Sequence, residues 1–450
     1  MATRQARPTG VARAAEPWER RFFGFVFASL ILGLPNEWSQ THFGSQGTKS
    51  AILVYTPVLT LALFYGLQRR VAFFKAVWTD PFIPLLLLWA LMSMAWSTSF
   101  GTTARQTIAW SLATAFAFYA VTRFDLREIL RITALTMLVG TALNLLFIFA
   151  LPRWGKVVDA VDANNSGWKG IASNKNSLGQ FSAAAVVLLW MARRSFTRHR
   201  IVYTIGAIVN VFIVLGSDAK TSLVALIGTG ALMIVFRAFR GQRQLFPVVV
   251  IGLVSSIVVV LLLVLRNKNT LASSVGRSGD LTGRTALWAD LVPAWRKHTI
   301  QGYGWGGFWN GENSPAGLIW LKHDWKPPDA HNLLLQLALD LGVVGVFLYF
   351  VSFLRALGRG VVFLRDSADP IAMVPVVWFT FELLGSITEH GNLGRNGFWV
   401  LHVMLVVAVG LHAKELRATS SRRPSRQATQ ARATQGERAS ANGALPAKLR

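Results

Sequence analysis

Long apolar runs separated by short polar segments dominate the chain. They fall at about 22–34, 50–67, 81–97, 106–122, 129–151, 176–192, 200–216, 220–237, 245–265, 332–354, 369–387 and 396–413. Most are long enough, or nearly so, for a helix to cross the hydrocarbon of a bilayer. They are continuous rather than alternating, which favours helices over the strands of a barrel. The pattern predicts an all-α, polytopic integral membrane protein with about twelve transmembrane helices. The first run, Phe22–Leu34, has the length of a signal-peptide core. Leu34, Pro35, Asn36 and Glu37 follow it instead of small residues suited to cleavage, so it reads as a retained first span.

Charge between the runs orients them. Arg69, Arg70 and Lys75 follow the second span, and Arg123 and Arg127 the fourth. Arg193, Arg194, Arg198 and Arg200 follow the sixth, Arg237, Arg240 and Arg243 the eighth, and Arg355, Arg359 and Arg365 the tenth. Basic clusters after every even-numbered span place those loops and both termini in the cytoplasm. The expected organisation is a basic cytoplasmic tail at 1–20, helices one to nine at 21–265, a large outer loop at 266–330, helices ten to twelve at 331–413, and a basic cytoplasmic tail at 414–450. The last segment is rich in Ser, Ala, Gln and Arg, has too little apolar surface for a core, and is expected to be disordered.

Composition narrows the function. The 450 residues are 52% hydrophobic and carry a formal charge of +25. In a soluble protein such a charge would point to nucleic acid; here loops and tails hold most of it, and orientation in a membrane accounts for it without a nucleic-acid partner. Cysteine is absent, which excludes disulfides and thiolate chemistry. There is no GxxxxGK[ST] and no HExxH, so nothing supports ATP-driven transport, and no cluster offers a set of metal ligands or calls for a cofactor.

The outer loop is the unusual part. It concentrates Arg, Lys, His, Trp and Gly between two spans and shows few signs of a compact fold of its own, yet it is too long for a mere connector. Cations gather on the outer face, where orientation alone disfavours them: Lys156, Lys169 and Lys175 after span five, Lys220 after span seven, and Arg277, Arg284, Arg296 and Lys297 in the large loop. An anionic ligand at the membrane–water boundary explains them, and a lipid-linked diphosphate presents suitable oxygens at that depth. For any one of them the plainer account is an interfacial charge that snorkels. His331, where the loop re-enters span ten, is a side chain suited to proton transfer; the alternative is a helix-end residue. Asn332 beside it suits a helix cap. Gly342 and Gly345 read as small residues that let helices approach. The glycines of Gly302–Trp309 imply a tight turn, with Trp305 and Trp309 at the interface or stacked on sugar rings.

These residues resemble the O-antigen ligase and polymerase family of bacterial envelope glycosyltransferases. His331-Asn332, nine residues, then Gly342-Val-Val-Gly345 is similar to the ligase signature, and Arg277–Leu281 to its R-x3-L element. Gly283–Trp288 followed by GYGWGGFW resembles the exopolysaccharide-polymerase branch. Asn174–Gly179 and Ser217–Leu223 are similar to the family's KN-x-L-G and S-x-x-[K/R]-T elements. Lys169 stands where the family often has Arg. The resemblance implies an enzyme of the bacterial inner membrane with its active site on the periplasmic face. It implies transfer of an undecaprenyl-diphosphate-linked glycan to a sugar hydroxyl, without metal or cofactor, in exopolysaccharide or O-antigen biosynthesis. The acceptor is another glycan (polymerase, the favoured branch) or lipid A–core (ligase). Polysaccharide export or assembly proteins and membrane lipids are the expected partners.

His331, Arg284 and Arg277 are then the expected catalytic residues, and Lys169, Lys175, Asn176, Lys220, Asn332 and Trp305 the expected substrate contacts. His331 serves as base or as hydrogen-bond donor to the diphosphate; Asp218, Asp280, Asp290, Asp329 and Glu389 are alternative bases. A flippase or secondary transporter also suits twelve spans. Against it, the helices hold few ionisable residues, Glu382 being the main exception, and the two halves show no similarity.

Overall fold

A computed structural model describes residues 15–33, 56–157, 166–239, 284–323, 326–387, 389, 393–394 and 396–416. The expected ninth span at 245–265, Arg277, Asp280 and most of both tails lie outside the described residues.

The described chain is a bundle of helices. Its only sheet among the described residues is a two-stranded antiparallel pairing of Lys156–Val157 with Gly167–Trp168. Within the described residues, helices occupy the expected apolar runs, and some of them are long and apolar enough to cross a membrane. Five described helices are long and apolar enough to cross a bilayer: Leu126–Ala150, Thr197–Gly216, Lys220–Ala238, Leu333–Asp366 and Gly397–Leu416. A sixth would be the pair Arg70–Val77 and Phe82–Ala95, bent by 86° at the break. Thr56–Gln68 and Pro370–Gly385 are shorter, and Pro17–Ile31 has 15 residues, about 22 Å of rise against a ~30 Å hydrocarbon layer.

Two long helices miss on apolarity instead. Phe100–Arg123 and Lys175–Ser195 have 24 and 21 residues but carry many polar ones. Lys175–Ser195 packs against Leu126–Leu145, Arg200–Gly216, Lys220–Phe239 and Met373–Gly385, and buries Ser182, Ala183, Ala184 and Ala185. A helix surrounded by helices need not match lipid, and its small side chains bring neighbours close. The lipid-like surface falls on other elements: Phe25, Ile201 and Val224 are all at least 70% exposed.

Local signals set the helix ends. Asn174 accepts from the Ser177 amide, Asp125 from Glu128 and Asn332 from Leu335, each a side-chain N-cap. The Asn332 cap is the one the sequence suggested. Arg193 and Arg194 occupy the last turn of Lys175–Ser195, favourable to the helix dipole.

The bundle has two polar ends. At one, Arg123 pairs with Glu19, Arg127 with Asp369, and Arg355 and Arg359 with Asp80. At the other lie His331, Glu389, the start of Lys175–Ser195, and the outer segment that begins at Arg284. The helix Leu333–Asp366 connects them.

The outer segment is more compact than its sequence suggests. Arg284–Arg296 and Pro315–Trp320 are helices, and Leu287, Leu291, Tyr303, Phe308, Ala316 and Ile319 form a small apolar core with Leu339 of the long helix. Tyr303 Oη donates to the Ala294 carbonyl at 2.8 Å. The individual apolar positions are scattered among glycines and charges, so no periodicity announced this core.

Gly342 interrupts the long helix at φ 64°, ψ −167°. A Cβ there would lie 2.1 Å from the Ile300 carbonyl oxygen. The break exposes backbone groups that the outer segment and a neighbouring helix satisfy: Val343 N–H donates to Thr299 O at 2.8 Å, Tyr303 N–H to Leu339 O at 2.8 Å, and Trp89 Nε1 to Leu341 O at 2.9 Å. Broken helices at membrane depth are tolerated where protein meets their open groups. Gly342 therefore serves the docking of the outer segment, not the helix–helix contact expected from its sequence.

Candidate active site

Three separate segments build the site. Arg284 is the first residue of its helix and is 7% exposed. Its Nη2 donates to Glu389 Oε1 at 2.8 Å. Glu389 follows Met373–Gly385, and its amide donates back to Gly385 O. His331 immediately precedes the cap of Leu333–Asp366. Its Nδ1 lies 3.5 Å from Glu389 Oε2 and 3.5 Å from Asp329 Oδ1. Glu389 thus spans Arg284 and His331 with its two oxygens.

The backbone holds His331 in an uncommon state. Its φ is +47°, left-handed for a residue with a side chain, and its N–H donates to Asp329 Oδ1 at 2.7 Å. Such conformations persist where surroundings over-determine them and often mark functional positions. Here the surroundings are a chain of polar contacts. Ala330 N–H donates to Gln336 Oε1 at 3.0 Å, and Trp309 Nε1 to the same oxygen at 2.9 Å. Gln336 Nε2 donates to Asp340 Oδ2 at 2.8 Å, and Asp340 Oδ1 accepts the Gly306 amide at 3.1 Å. Trp288 Nε1 donates to Ala330 O at 2.8 Å. The glycine-rich turn and the start of the long helix are therefore one hydrogen-bonded unit with His331 at its edge.

A cavity of about 380 Å³ opens beside this unit. His331, Asp329 and Glu389 line it, as do Asn174, Asn176 and Gln180 from the start of Lys175–Ser195. Its wall mixes acid and base groups with neutral amides, a surface able to hold a polyhydroxylated ligand and to exchange a proton with it.

The structure brings some expected residues together and not others. His331, Asn176 and, through Glu389, Arg284 converge at the cavity. Lys175 turns to the neighbouring Ser217–Asp218 turn, with Nζ 3.9 Å from Asp218 Oδ2 and 3.5 Å from the Ser166 carbonyl. Lys220 opens the next helix in an exposed position, and Lys169 is half-buried on the strand side of the same region. Asn332 uses both ends of its amide inside the protein, accepting from Leu335 and donating to Ile387 O at 2.9 Å.

Trp305 departs from its expected role. It is buried, stacked on Trp110 with ring centroids 4.1 Å apart, and its amide donates to Ser93 Oγ. The positive φ of Gly304 and Gly306 turns the chain inward there, so the ring joins the bundle core instead of facing a sugar. Asp290 is a poor base: hydrogen bonding from Lys322 at 2.7 Å, with Lys322 and His323 charge beside it, holds its carboxyl below the ordinary range.

Sequence reasoning placed Glu389 among several possible bases and had no means to pair it. It missed Gln336 and Asp340, which read as incidental polar positions inside a span. It also took Glu382 as the main ionisable residue in the helices, whereas Asp340 and His402 are buried with it. These groups close on protein partners: His402 Nδ1 is 2.7 Å from Glu382 Oε2.

The fold and site define a multi-pass helical membrane protein with an acid–base cavity at one end of its bundle. A profile of the family described as O-antigen ligase matches residues 205–350. The chain is also 23% identical over 307 residues, 64% of its own length and 67% of the relative's, to an "Exopolysaccharide production protein ExoQ" of Rhizobium meliloti (strain 1021). Over residues 205–350 the chain is similar to the O-antigen ligase/polymerase family. The matched stretch contains Lys220, Arg284, Trp305, His331 and Asn332 and ends shortly after the Gly342 break.

Proposed function

We propose that the protein is a glycosyltransferase of the bacterial inner membrane. It transfers an undecaprenyl-diphosphate-linked glycan to a sugar hydroxyl, with polymerisation of exopolysaccharide or O-antigen repeats favoured over ligation to lipid A–core. The observation that carries this reading is the convergence of Arg284 and His331 on Glu389 beside the amide-lined cavity. The named relative's role in exopolysaccharide production supports the polymerase branch.

The residues divide the work by charge. The acceptor oxygen attacks the anomeric carbon, the bond from that carbon to the diphosphate breaks, and its electron pair leaves with the diphosphate. His331 takes the acceptor's proton. Two carboxylates lie beside Nδ1, which leaves the other ring nitrogen as the one to meet the hydroxyl. Arg284 balances Glu389 and adds positive potential where negative charge builds on the leaving group. Asn176, with the neighbouring amides, orients sugar hydroxyls. No metal or cofactor enters this scheme.

Two measurements test it. In cells lacking the protein, lipid-linked glycans are expected to lose their long chains. Long chains stranded on the lipid carrier would instead indicate a ligase, and intermediates confined to the inner leaflet a flippase. The cavity end of the bundle is expected on the periplasmic side, so a cytoplasmic reporter fused at about residue 300 should be silent. Reporter activity there would end the proposal.

A further inference from the structure

Asn144 is a polar residue that the proposed reaction leaves unused. It lies in the last turn of Leu126–Leu145, is 1% exposed and lines the same cavity as His331. Directly after it the helix widens into a five-residue π segment, Leu146–Ala150, a distortion that is frequent at functional sites. The Ile171 amide donates to Asn144 Oδ1 at 2.9 Å. Gly170, at φ +57°, makes room for that contact, because a Cβ there would lie 2.2 Å from the same oxygen. With Oδ1 held in this way, the orientation of the amide is settled and Nδ2 is its remaining donor. Among the described residues no acceptor meets Nδ2, which leaves it to the cavity that the side chain lines. One turn earlier on the same helix face is Gly140, where a Cβ would lie 2.4 Å from the Phe181 ring and 2.6 Å from a Leu32 methyl. Phe181, Leu32 and Ile171 line the cavity too, so the N–H donor is set among apolar side chains.

We infer that Asn144 is a specificity-determining residue that reads an acetyl substituent on the transferred sugar, either N-acetyl or O-acetyl. This rests on the reading that the cavity receives the lipid-linked glycan. The match is one of hydrogen-bonding type. An acetyl carbonyl only accepts, so it can take the Nδ2 proton without needing a second partner, and its methyl group meets the apolar faces of Phe181, Leu32 and Ile171. A plain hydroxyl can also accept from Nδ2, but it must place a proton of its own. The three side chains beside it accept nothing, and a polar hydrogen left unpaired in a buried site costs binding. A fixed N–H flanked by apolar carbon therefore favours the acetylated sugar over the bare one.

The test measures binding of three compounds to the full chain in nanodiscs by isothermal titration: farnesyl-diphosphate-linked N-acetylglucosamine, 6-O-acetylglucose and glucose. The carrier is the same in all three, so its contribution cancels. The parent is expected to bind at least one acetylated compound about tenfold more tightly than the glucose compound, the worth of one buried hydrogen bond. Which of the two it prefers tells the amide from the ester. Asn144→Ala should erase that preference while binding the glucose compound as the parent does. If Asn144 served only to hold the Ile171 loop, Asn144→Ala would weaken all three compounds by the same factor, and that result overturns the assignment. A preference that survives in Asn144→Ala also overturns it. So does equal binding of the three compounds by the parent, a comparison that needs no variant. Binding of none of them removes the reading of the cavity as a glycan site, and this inference with it, whereas equal binding removes this inference alone.

Discussion

His331→Ala is expected to lower glycan transfer by about 100- to 10,000-fold, the range for a positioned acid–base group. The reasoning is geometric. The imidazole is held by a left-handed backbone at φ +47°, by its own amide bonding to Asp329, and by two carboxylates 3.5 Å from Nδ1. That arrangement holds the ring in one orientation beside the cavity, where an incoming hydroxyl can meet it. His331→Gln separates the two roles left open by the residue type. Gln keeps a donor but cannot act as a base, so lost turnover with near-parent donor binding indicates proton transfer. Retained turnover indicates a hydrogen bond to the diphosphate. Glu389→Gln should resemble the His331 variants in turnover, because it removes the charge that joins Arg284 to the imidazole. Purified protein, a defined lipid-linked donor and gel analysis of products suffice. Parent-level transfer by His331→Ala would leave the residue as the entrance to a helix and nothing more.

The second large effect is structural. Gly342→Ala should destabilise the protein by about 3 kcal/mol or more, read as a lowered midpoint of thermal unfolding in detergent. The conformation at φ 64°, ψ −167° is open essentially to glycine alone. The added methyl carbon would also lie 2.1 Å from Ile300 O and 2.2 Å from Ile300 C, a backbone neighbour that cannot rotate away. Relief requires the Thr299–Gln301 turn of the outer segment to lift, at the expense of the Val343-to-Thr299 hydrogen bond. Because the same segment supports Trp309, Gln336 and hence Ala330, transfer activity should fall further than stability alone explains. Gly230→Ala, on a helix where an added Cβ meets nothing within 4 Å, is the control and should stabilise slightly. Equal melting of the Gly342→Ala protein and the parent would mean the outer segment is not docked through this break.

The sequence by itself determined what is written within a few residues. Apolar runs specify helices because a backbone in lipid must bond within its own segment. Asn332 marks a helix start because a short amide reaches an amide N–H three residues on. The position of His331 at a loop–helix junction and the glycine turn at Gly302–Trp309 were legible for the same reason. Tertiary structure alone decided the rest. Glu389 meets Arg284 across 105 positions and His331 across 58, distances over which no periodicity or cap rule operates. Whether a run faces lipid or other helices also depends on its neighbours, so the count of spans could not be read from hydropathy alone: Lys175–Ser195 is long but central and polar, and Pro370–Gly385 is apolar but short. Trp305 and Gly342 show the same limit at single residues. A Trp is suited equally to a sugar face and to a core, and a Gly equally to helix contact and to a broken backbone. The choice fell to Trp110, which stacks on the indole, and to the Ile300 carbonyl, which occupies the space a side chain would need.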